Sequence, residues 1–211
     1  MYAPAHFEEA RGPVLHALMR EHPLATLIAH GETGLTADHL PLHFAPEVGS
    51  QGALQGHVAR ANPLWQLRPE ADVLVIFHGA QAYVSPSWYA TKREHGKAVP
   101  TWNYVVAQAR GRLRAIDDPS WLRRQLETLV ARHEAGLAEP WGIADAPPDY
   151  IEKMLAAIVG IEIVINELKG KWKVSQNQPP ANRAGVVAGL RQQGTAEGLR
   201  MAELIAATLT P

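Results

Sequence analysis

Aromatic, hydroxyl and amide side chains are concentrated in two stretches near the middle of the chain, residues 82–89 and 99–104. A flat, partly polar ligand needs this mixture, because aromatic faces cover its rings while a few fixed donors and acceptors orient it. The stretches therefore predict a ligand site at the ends of adjacent strands, with core packing of the aromatics as the alternative. The polar candidates, as orienting donors or strand-end caps, are Ser85, Ser87, Tyr89, Thr101 and Asn103, and the candidates to cover a ring are Trp88 and Trp102.

A candidate phosphate site lies where the predicted strand 52–58 ends and a short helix or turn is predicted over 59–70. A phosphate group needs a permanent cation, hydroxyl or imidazole donors, and free backbone N–H groups. Arg60 supplies the cation. An ordinary exposed Arg is the alternative interpretation, and the residues alone favour it.

The sequence argues against a metal site at His39 and His43 and against a hydrolase site at Ser85 or Ser87. His39 and His43 are four residues apart, but Pro41 prevents a regular helix there, and on a strand the two would lie about 13 Å apart, too far to share a metal ion. A hydrolase is not predicted, because the chain has no G-x-S-x-G turn and no evident acid–base partner beside Ser85 or Ser87.

The composition restricts the class of protein. With 211 residues, 46% of them hydrophobic, the chain can bury a sizeable core, and we expect one domain over residues 1–211. The absence of Cys excludes disulfides, thiolate nucleophiles, iron–sulfur clusters and cysteine-type zinc sites. No apolar run is long enough to span a bilayer and residues 1–9 lack the pattern of a secretory signal, so we expect a cytoplasmic protein.

Periodicity and capping residues predict the elements that position the candidate residues. Strands are predicted at 24–30, 38–45, 52–58, 101–116 and around 161–165, with a hairpin made by 72–77 and 81–85. Helices are predicted at 12–22, from Asp118 to about His133, and at 149–157, 180–193 and 195–209. A turn is predicted at 32–34 and a mobile loop at 91–98.

Strands dominate the first 116 residues and no βαβ rhythm is present, so a parallel sheet is not expected. The predicted fold class is mainly β with peripheral helices (α+β), built on a small antiparallel barrel. The last two helices, about residues 179–209, are expected to cover the barrel. Their second member carries Glu197, Arg200 and Glu203, a net charge that does not suit a DNA recognition helix.

A basic stripe on the strand 101–116 raises the question of nucleic acid. Arg110, Arg112 and Arg114 share one face of this strand. The chain as a whole carries 20 basic and 21 acidic residues, and non-specific nucleic-acid binding depends on clustered, unbalanced Lys and Arg. We therefore interpret the stripe as a solvated or dimer-interface face.

The order of several segments resembles a known family. Along the chain these segments are MYAPAHF at residues 1–7, HLPL at 39–42, GHVARANP at 56–63, SPSWY at 85–89, VPTWNY at 99–104 and KWKVSQN at 171–177. The series resembles the PaiB family, described as FMN-binding negative transcriptional regulators, from residue 1 to about 205. One departure is Gly79-Ala80, where the family pattern has Gly-Pro.

The resemblance implies an FMN-binding split barrel, related to pyridoxamine phosphate oxidases, that forms a homodimer with flavins at its interface. It makes Arg60, with His57 nearby, the expected phosphate ligand, and it places Lys173 at or near the flavin, where a cation would favour the reduced ring. A solvated edge strand is the alternative for Lys173. The full set of expected cofactor contacts is His39, Leu40, His57, Arg60, Ser85, Ser87, Trp88, Thr101, Asn103, Lys173, Gln176 and Asn177.

Three functions stay open at the level of sequence. The first is an FMN-binding negative regulator, for which DNA is a partner by the family description but without support from the charge. The second is a flavin-dependent oxidoreductase with a pocket beneath residues 91–98. The third is a haem-binding or haem-utilisation protein on a related barrel, for which the ten scattered His are weak support.

Overall fold

The computed structural model describes residues 1–32, 34–67 and 70–209. The strands are β1 (Glu8–Glu9), β2 (Leu24–Gly31), β3 (Gly34–Pro41), β4 (His43–Ala45), β5 (Ala53–Ala59), β6 (Ala71–Val84), β7 (Thr101–Ile116) and β8 (Ile158–Lys173). The α-helices are α1 (Gly12–Glu21), α2 (Ala90–His95), α3 (Pro119–Glu134), α4 (Pro148–Ala156), α5 (Pro180–Gln193) and α6 (Ala196–Ala207). Short 3-10 turns lie at Ala5–Phe7, Pro63–Gln66, Pro86–Trp88 and Ile143–Asp145.

The strands of the described residues form one eight-stranded sheet. Their order is β3-β2-β6-β7-β8-β5-β4, and β1 pairs with the end of β8. The pairs β2–β3, β2–β6, β4–β5, β5–β8 and β1–β8 are all antiparallel. An antiparallel sheet with helices around it is therefore confirmed as the architecture.

The chain divides into two compact units. The first unit consists of Met1–Leu18, His78–Ala107 and Lys169–Pro211, and the second consists of Met19–Phe77 and Gln108–Leu168. The long strands β6, β7 and β8 each supply residues to both units. The expectation of a single domain stays a prediction.

The core of the second unit comes from alternating strand residues. Val75 on β6 and Ile161 and Ile163 on β8 are fully buried, as the period of two requires for one face of a sheet. A Cβ atom at Gly111 would lie 2.3 Å from the carbonyl oxygen of Val164. Only Gly therefore allows β7 and β8 to approach this closely.

Helix α3 of the second unit begins as its sequence predicts. Asp118 is the N-cap, and its carboxylate accepts a hydrogen bond from the backbone N–H of Ser120 at 2.8 Å, while Pro119 takes the first helical position. Its buried face joins a small apolar cluster that also includes α4. The cluster consists of Leu122, Ile143, Ile151 and Leu155.

The first unit is completed by the helix pair α5 and α6. Their buried residues Val186, Leu190, Met201 and Ile205 are at most 1% exposed.

The predictions of two terminal helices, of α1 near 12–22, of β7 at 101–116 and of a helix near 149–157 are confirmed. Across the described residues, the structure contains no helix with the length and apolar character that a membrane crossing demands.

The predicted hairpin at residues 72–85 is wrong, because β6 runs without interruption from Ala71 to Val84. Gly79 was expected to mark a turn, but it has ordinary extended backbone and serves close packing instead. A Cβ atom there would lie 2.6 Å from Leu18 Cδ1 and 3.3 Å from Val105 Cβ. The Gly is required by a neighbouring side chain rather than by a reversal of the chain.

Two further predictions are wrong in detail. Residues 91–98, expected as a mobile loop, contain α2, which ends at Gly96 with φ +70° and a backbone hydrogen bond to Lys92 O. The strand expected at 38–45 is interrupted at Leu42, whose backbone N–H donates to Pro23 O rather than to the sheet. The turn expected at 32–34 and the helix or turn expected at 59–70 fall partly outside the described residues.

Candidate functional site

A polar cavity of about 240 Å³ lies within the first unit. This volume is below the roughly 300–1,000 Å³ of whole ligand pockets, so it suits one part of a larger ligand. The cavity brings together four of the predicted contacts, Thr101, Asn103, Lys173 and Asn177. The remaining lining residues are Tyr89, Thr91, Lys97, Ala98, Val99, Pro100, Ser175 and Gln178.

Asn103 is the deepest polar residue of this cavity. Its side chain is 1% exposed, and its amide nitrogen donates to Ser175 Oγ at 2.7 Å. Its carbonyl oxygen, Oδ1, is buried without a hydrogen-bond partner. Buried polar atoms in proteins are almost always paired, so this unpaired acceptor on a residue that lines the cavity lacks the partner that such an atom normally has.

Ser175 reaches Asn103 from a strained backbone conformation. It is 3% exposed and has φ +61°, a left-handed value that costs a non-glycine residue about 1–3 kcal/mol. The turn is braced by Gln176, whose side chain accepts from Val174 N at 2.8 Å and donates to Trp172 O. Gln176, expected as a ligand contact, thus acts here on the turn that presents Ser175.

Lys173, at the end of β8, has no carboxylate partner among the described residues. Its Nζ donates to Thr101 Oγ1 at 2.5 Å across to the start of β7. Lys97 is the second cation of the cavity, and none of the described lining residues is Asp or Glu. The cavity therefore carries an unbalanced positive charge and favours a ligand with negative character.

Asn182 of α5 connects two lining residues of the cavity, Thr91 and Gln178. This residue is 1% exposed, accepts from Thr91 N at 3.1 Å, and donates to Thr91 Oγ1 and Gln178 Oε1. The neighbouring Tyr89 is 5% exposed, and burial raises the pKa of its phenol. The Tyr89 hydroxyl is accordingly a proton donor at neutral pH.

The residues Ser85, Ser87 and Trp88 form a turn just before α2. Ser85 Oγ caps the turn by accepting from Ser87 N, and Ser87 Oγ accepts from Lys92 Nζ, each at 3.2 Å. Trp88 packs against α5, because a Cβ atom at Gly189 would lie 2.3 Å from its ring. The Trp88 ring therefore packs against α5, as the alternative interpretation of core packing predicts.

Arg60, in the second unit, is engaged in a network of its own. Its guanidinium makes a bidentate pair with Asp117, with N···O distances of 2.9 and 2.6 Å, and also donates to the carbonyls of Ala156 and Ile158. These bonds use four of its five N–H groups. The pair lowers the pKa of Asp117 through the hydrogen bonds from Arg60.

The other predicted contacts of the second unit are His57, His39 and Leu40. The imidazole of His57 makes a 3.0 Å hydrogen bond with Gln125 Oε1 of α3. His39 makes a 3.2 Å bond with Thr26 Oγ1 on the neighbouring strand, and Leu40 is partly buried beside it. Each side chain has a local packing role, and their contact with a cofactor stays a prediction.

The three arginines of the β7 stripe all have acidic partners. Arg110 pairs with Glu167 at 3.5 Å, Arg112 pairs with Glu70 at 3.2 Å, and Arg114 pairs with the buried Glu162. Such pairing cancels most of the positive field that attracts phosphate backbones.

The set of expected cofactor contacts leaves out several residues of the cavity, among them Ser175 and Gln178, and it does not single out Lys97 within the segment 91–98 that was expected to cover a pocket. All are close in sequence to contacts that were predicted, so proximity to the SPSWY, VPTWNY and KWKVSQN segments was the available signal. The alternation of side chains does not extend past the end of β8, because Ser175 reverses the backbone there. The donor set is rich in hydrogen-bond donors and has one free buried acceptor, which fits the polar edge of a flavin.

The chain matches the family described as "Putative FMN-binding domain" over residues 1–167. It belongs to this family, and FMN is its cofactor. The part of the cavity that follows residue 167, including Lys173 and Ser175, lies outside the matched region.

Relatives of this chain match it over almost its whole length. The chain is 35% identical to Uncharacterized protein AN0679 of Emericella nidulans, over 97% of this chain and 96% of that one. It is 29% identical to Protease synthase and sporulation protein PAI 2 of Bacillus subtilis, with the same coverage of both chains. The resemblance to the PaiB family is confirmed by these findings.

The fold is shared with the FAD and haem binding protein of Mycobacterium smegmatis, at a TM-score of 0.58 and 19% identity, over 79% of this chain and 73% of that one. The flavocytochrome Anf3 of Azotobacter vinelandii gives the same TM-score at 15% identity, over 79% and 69%. The predicted fold class, an antiparallel split barrel of the FMN-binding type, is confirmed.

Proposed function

We propose that this protein is a homodimeric, flavin-responsive negative transcriptional regulator of the PaiB type, and that the cavity of its first unit binds the pyrimidine edge of FMN. The observation that carries the proposal is the unpaired, buried Oδ1 of Asn103, a residue that lines a cavity with two lysines. Membership in the FMN-binding family supports the choice of ligand.

The pyrimidine edge of a flavin has complementary chemistry. It presents one ring N–H between two carbonyl oxygens, beside a ring nitrogen that gains negative charge on reduction. Asn103 Oδ1 would accept from the N–H, and Lys173 would interact with the electron-rich oxygen and nitrogen. A phosphate group presents acceptors alone at neutral pH and would leave Asn103 Oδ1 unpaired, so we assign the ring rather than the phosphate to this cavity.

A homodimer is supported by the exposed strand β3 of the second unit. Leu35 is 77% exposed, and Thr36, Ala37 and His39 are exposed beside it, so both faces of the strand are accessible. An exposed edge strand presents unpaired backbone N–H and C=O groups that can pair with another chain. We propose that a second copy covers it.

Regulation is supported by the resemblance to the PaiB family, described as negative transcriptional regulators, and by the Bacillus subtilis relative named Protease synthase and sporulation protein PAI 2. Because the arginines of the β7 stripe are paired with acids, we propose that this stripe is not a DNA-binding surface. A gel shift with promoter fragments tests direct DNA binding, and a weak, salt-sensitive, sequence-independent signal would count against it. The cytoplasmic location stays a prediction.

The FMN assignment is tested by titrating purified apoprotein with FMN and comparing Asn103→Ala with Asn166→Ala. Both residues lie on long strands, but Asn166 is exposed and outside the cavity. We expect Asn103→Ala to weaken FMN binding about ten- to a hundredfold, because a hydrogen bond in a buried site is lost. Asn166→Ala should bind as the wild type does.

Equal affinities for the two variants, with both folded by circular dichroism, would contradict the assignment of the ring to this cavity. Thermal unfolding separates loss of binding from loss of fold, since Asn103→Ala also removes the bond to Ser175.

A flavin-dependent oxidoreductase is the second candidate function. It is favoured by Tyr89, which lines the same cavity; burial raises the pKa of its phenol, so the hydroxyl stays protonated at neutral pH and is available as a hydrogen-bond donor that orients a substrate. The test is NAD(P)H oxidation by the FMN-loaded protein, and a rate no higher than that of free FMN would count against it. The haem alternative has less support, because none of the described lining residues is His.

A further inference from the structure

We infer that the cavity of the first unit binds reduced FMN more tightly than oxidised FMN, and that Lys173 is the residue that discriminates between the two forms. This inference rests on the proposed function, because it takes the flavin edge to lie in the cavity. It goes further by stating which redox form of the cofactor the protein selects.

The charge of the cavity is the first observation. Two electrons and one proton convert the neutral flavin ring into an anion whose charge lies on its pyrimidine part. The cavity contains Lys97 and Lys173, and none of its described lining residues is Asp or Glu. A charge that is partly removed from water acts more strongly on a nearby ion than an exposed charge does.

Lys173 differs from the arginines of the β7 stripe in having no carboxylate partner among the described residues; its hydrogen bond goes to a neutral hydroxyl. Arg110, Arg112 and Arg114 each face a carboxylate. Lys171, two residues before Lys173 on β8, lies 5.7 Å from the centre of the Tyr2 ring and 5.3 Å from that of Tyr104.

Thr101 fixes the position of the Lys173 ammonium without neutralising it, since a hydroxyl oxygen accepts a hydrogen bond but carries no net charge. The orientation of the lysine is therefore set before a ligand arrives. A pre-positioned cation loses little side-chain entropy on binding, so most of its attraction for an anion is retained.

Asn103 and Lys173 would then have separable roles. The ring N–H that Asn103 Oδ1 accepts is present in both redox forms, so Asn103 contributes affinity without discrimination. Lys173 interacts with a charge that only the reduced form carries. A protein favours one redox form of its ligand only if its interaction free energy with that form is more favourable. Lys173 supplies this difference between reduced and oxidised FMN.

For a regulator, this preference would make cofactor occupancy depend on the redox state of the flavin. The reduced form would be retained at concentrations at which the oxidised form dissociates. The protein would thus respond to reducing conditions without any Cys, which its sequence lacks.

The test is the ratio of two dissociation constants, for oxidised FMN in air and for dithionite-reduced FMN under anaerobic conditions. Lys173→Met removes the charge while keeping a long side chain. Lys171→Met makes the same change two residues away, outside the cavity lining, and is the matched control. We expect the wild type and Lys171→Met to bind reduced FMN at least about tenfold more tightly than oxidised FMN.

In Lys173→Met we expect this ratio to fall about tenfold, which corresponds to a midpoint potential about 30 mV more negative for the two-electron couple. Lys97→Met should lower it by less, because Lys97 is exposed. A wild-type ratio near one, or equal falls in the Lys173 and Lys171 variants, would overturn the inference while leaving FMN binding intact. Failure of the folded wild type to bind either form would instead overturn the proposed function, and this inference with it.

Discussion

At the scale of single residues, Asn103 and Ser175 are held in states that cost free energy in the free protein. An unpaired buried carbonyl costs about 1–3 kcal/mol, and the left-handed φ of Ser175 costs a similar amount. Both costs in free energy fall on Asn103 and Ser175, which are hydrogen-bonded to each other and both line the cavity. Strain and unmet polar groups collect at ligand sites because the ligand relieves part of them, and this supports the assignment of the cavity.

Arg60 allows a sharp prediction, because its structural and ligand-binding roles have different consequences. Its bonds to Asp117 and to two carbonyls favour the structural role. We expect Arg60→Met to lower the midpoint of thermal unfolding while leaving the ratio of FMN to riboflavin affinity unchanged. A large fall in that ratio would show instead that Arg60 binds the phosphate.

The same pair has a defined dependence on pH. The lowered pKa of Asp117 means that its contribution to stability is present above the unfolded value, near 4, and is lost as the pH falls through the folded value. Asp117→Asn is the matched control for Arg60→Met, because it breaks the ion pair but keeps the cation available to a phosphate.

Residue types near strand ends were sufficient to predict part of the cavity. Thr101 and Asn103 were predicted from a hydroxyl and an amide at the start of a long strand, beside aromatic residues. Lys173 was expected only from the resemblance to the PaiB family, with a solvated edge strand as the alternative. Ser175 was not predicted as a site residue, because patterns of residue type carry no information about a backbone that turns left-handed. Lys97 lies in the segment 91–98 that was expected to cover a pocket, but no pattern singled it out within that segment.

At the scale of elements, the contact between α5 and the turn before α2 gives a prediction about stability. A Cβ atom at Gly189 would lie 2.3 Å from the ring of Trp88. Overpacking costs about 1–3 kcal/mol, whereas Ala in place of Gly gains up to about 1 kcal/mol in a helix. We expect Gly189→Ala to destabilise the protein in urea unfolding.

The control is the same substitution in a Trp88→Ala background. Without the indole, only the gain in helix propensity remains, so Gly189→Ala should become neutral or stabilising. An identical effect in both backgrounds would mean that Trp88 does not pack on α5 as described.

Elements with a clear period were predicted well, and those set by distant contacts were not. The alternation along β7 and the Asp118-Pro119 start of α3 are local signals, and both are confirmed. The hairpin expected within β6 was wrong because Gly79 accommodates Leu18 and Val105, which are remote in sequence. Local patterns cannot distinguish a Gly that turns the chain from one that makes room for a neighbour.

At the scale of the whole molecule, the proposed homodimer gives a prediction about assembly. Leu35 on β3 is 77% exposed, so Leu35→Lys should leave the fold of one chain intact. If a second copy covers this strand, a buried Leu contributes about 1.5–3 kcal/mol, and the dimer dissociation constant should rise at least tenfold, about 1.4 kcal/mol. Sedimentation equilibrium measures this change.

The matched control for assembly is Leu137→Lys, at another exposed Leu that follows α3. It should leave the dimer unaffected. A wild-type chain that sediments as a monomer, or equal weakening by both substitutions, would argue against β3 as the interface.

FMN binding by the folded chain is tested most simply by the visible spectrum of the purified wild-type protein after incubation with FMN and removal of free ligand. We expect a retained two-band flavin spectrum at about one FMN per chain, as a site that binds the folded state should show. A folded protein that retains no flavin would contradict it, whatever its relatives bind.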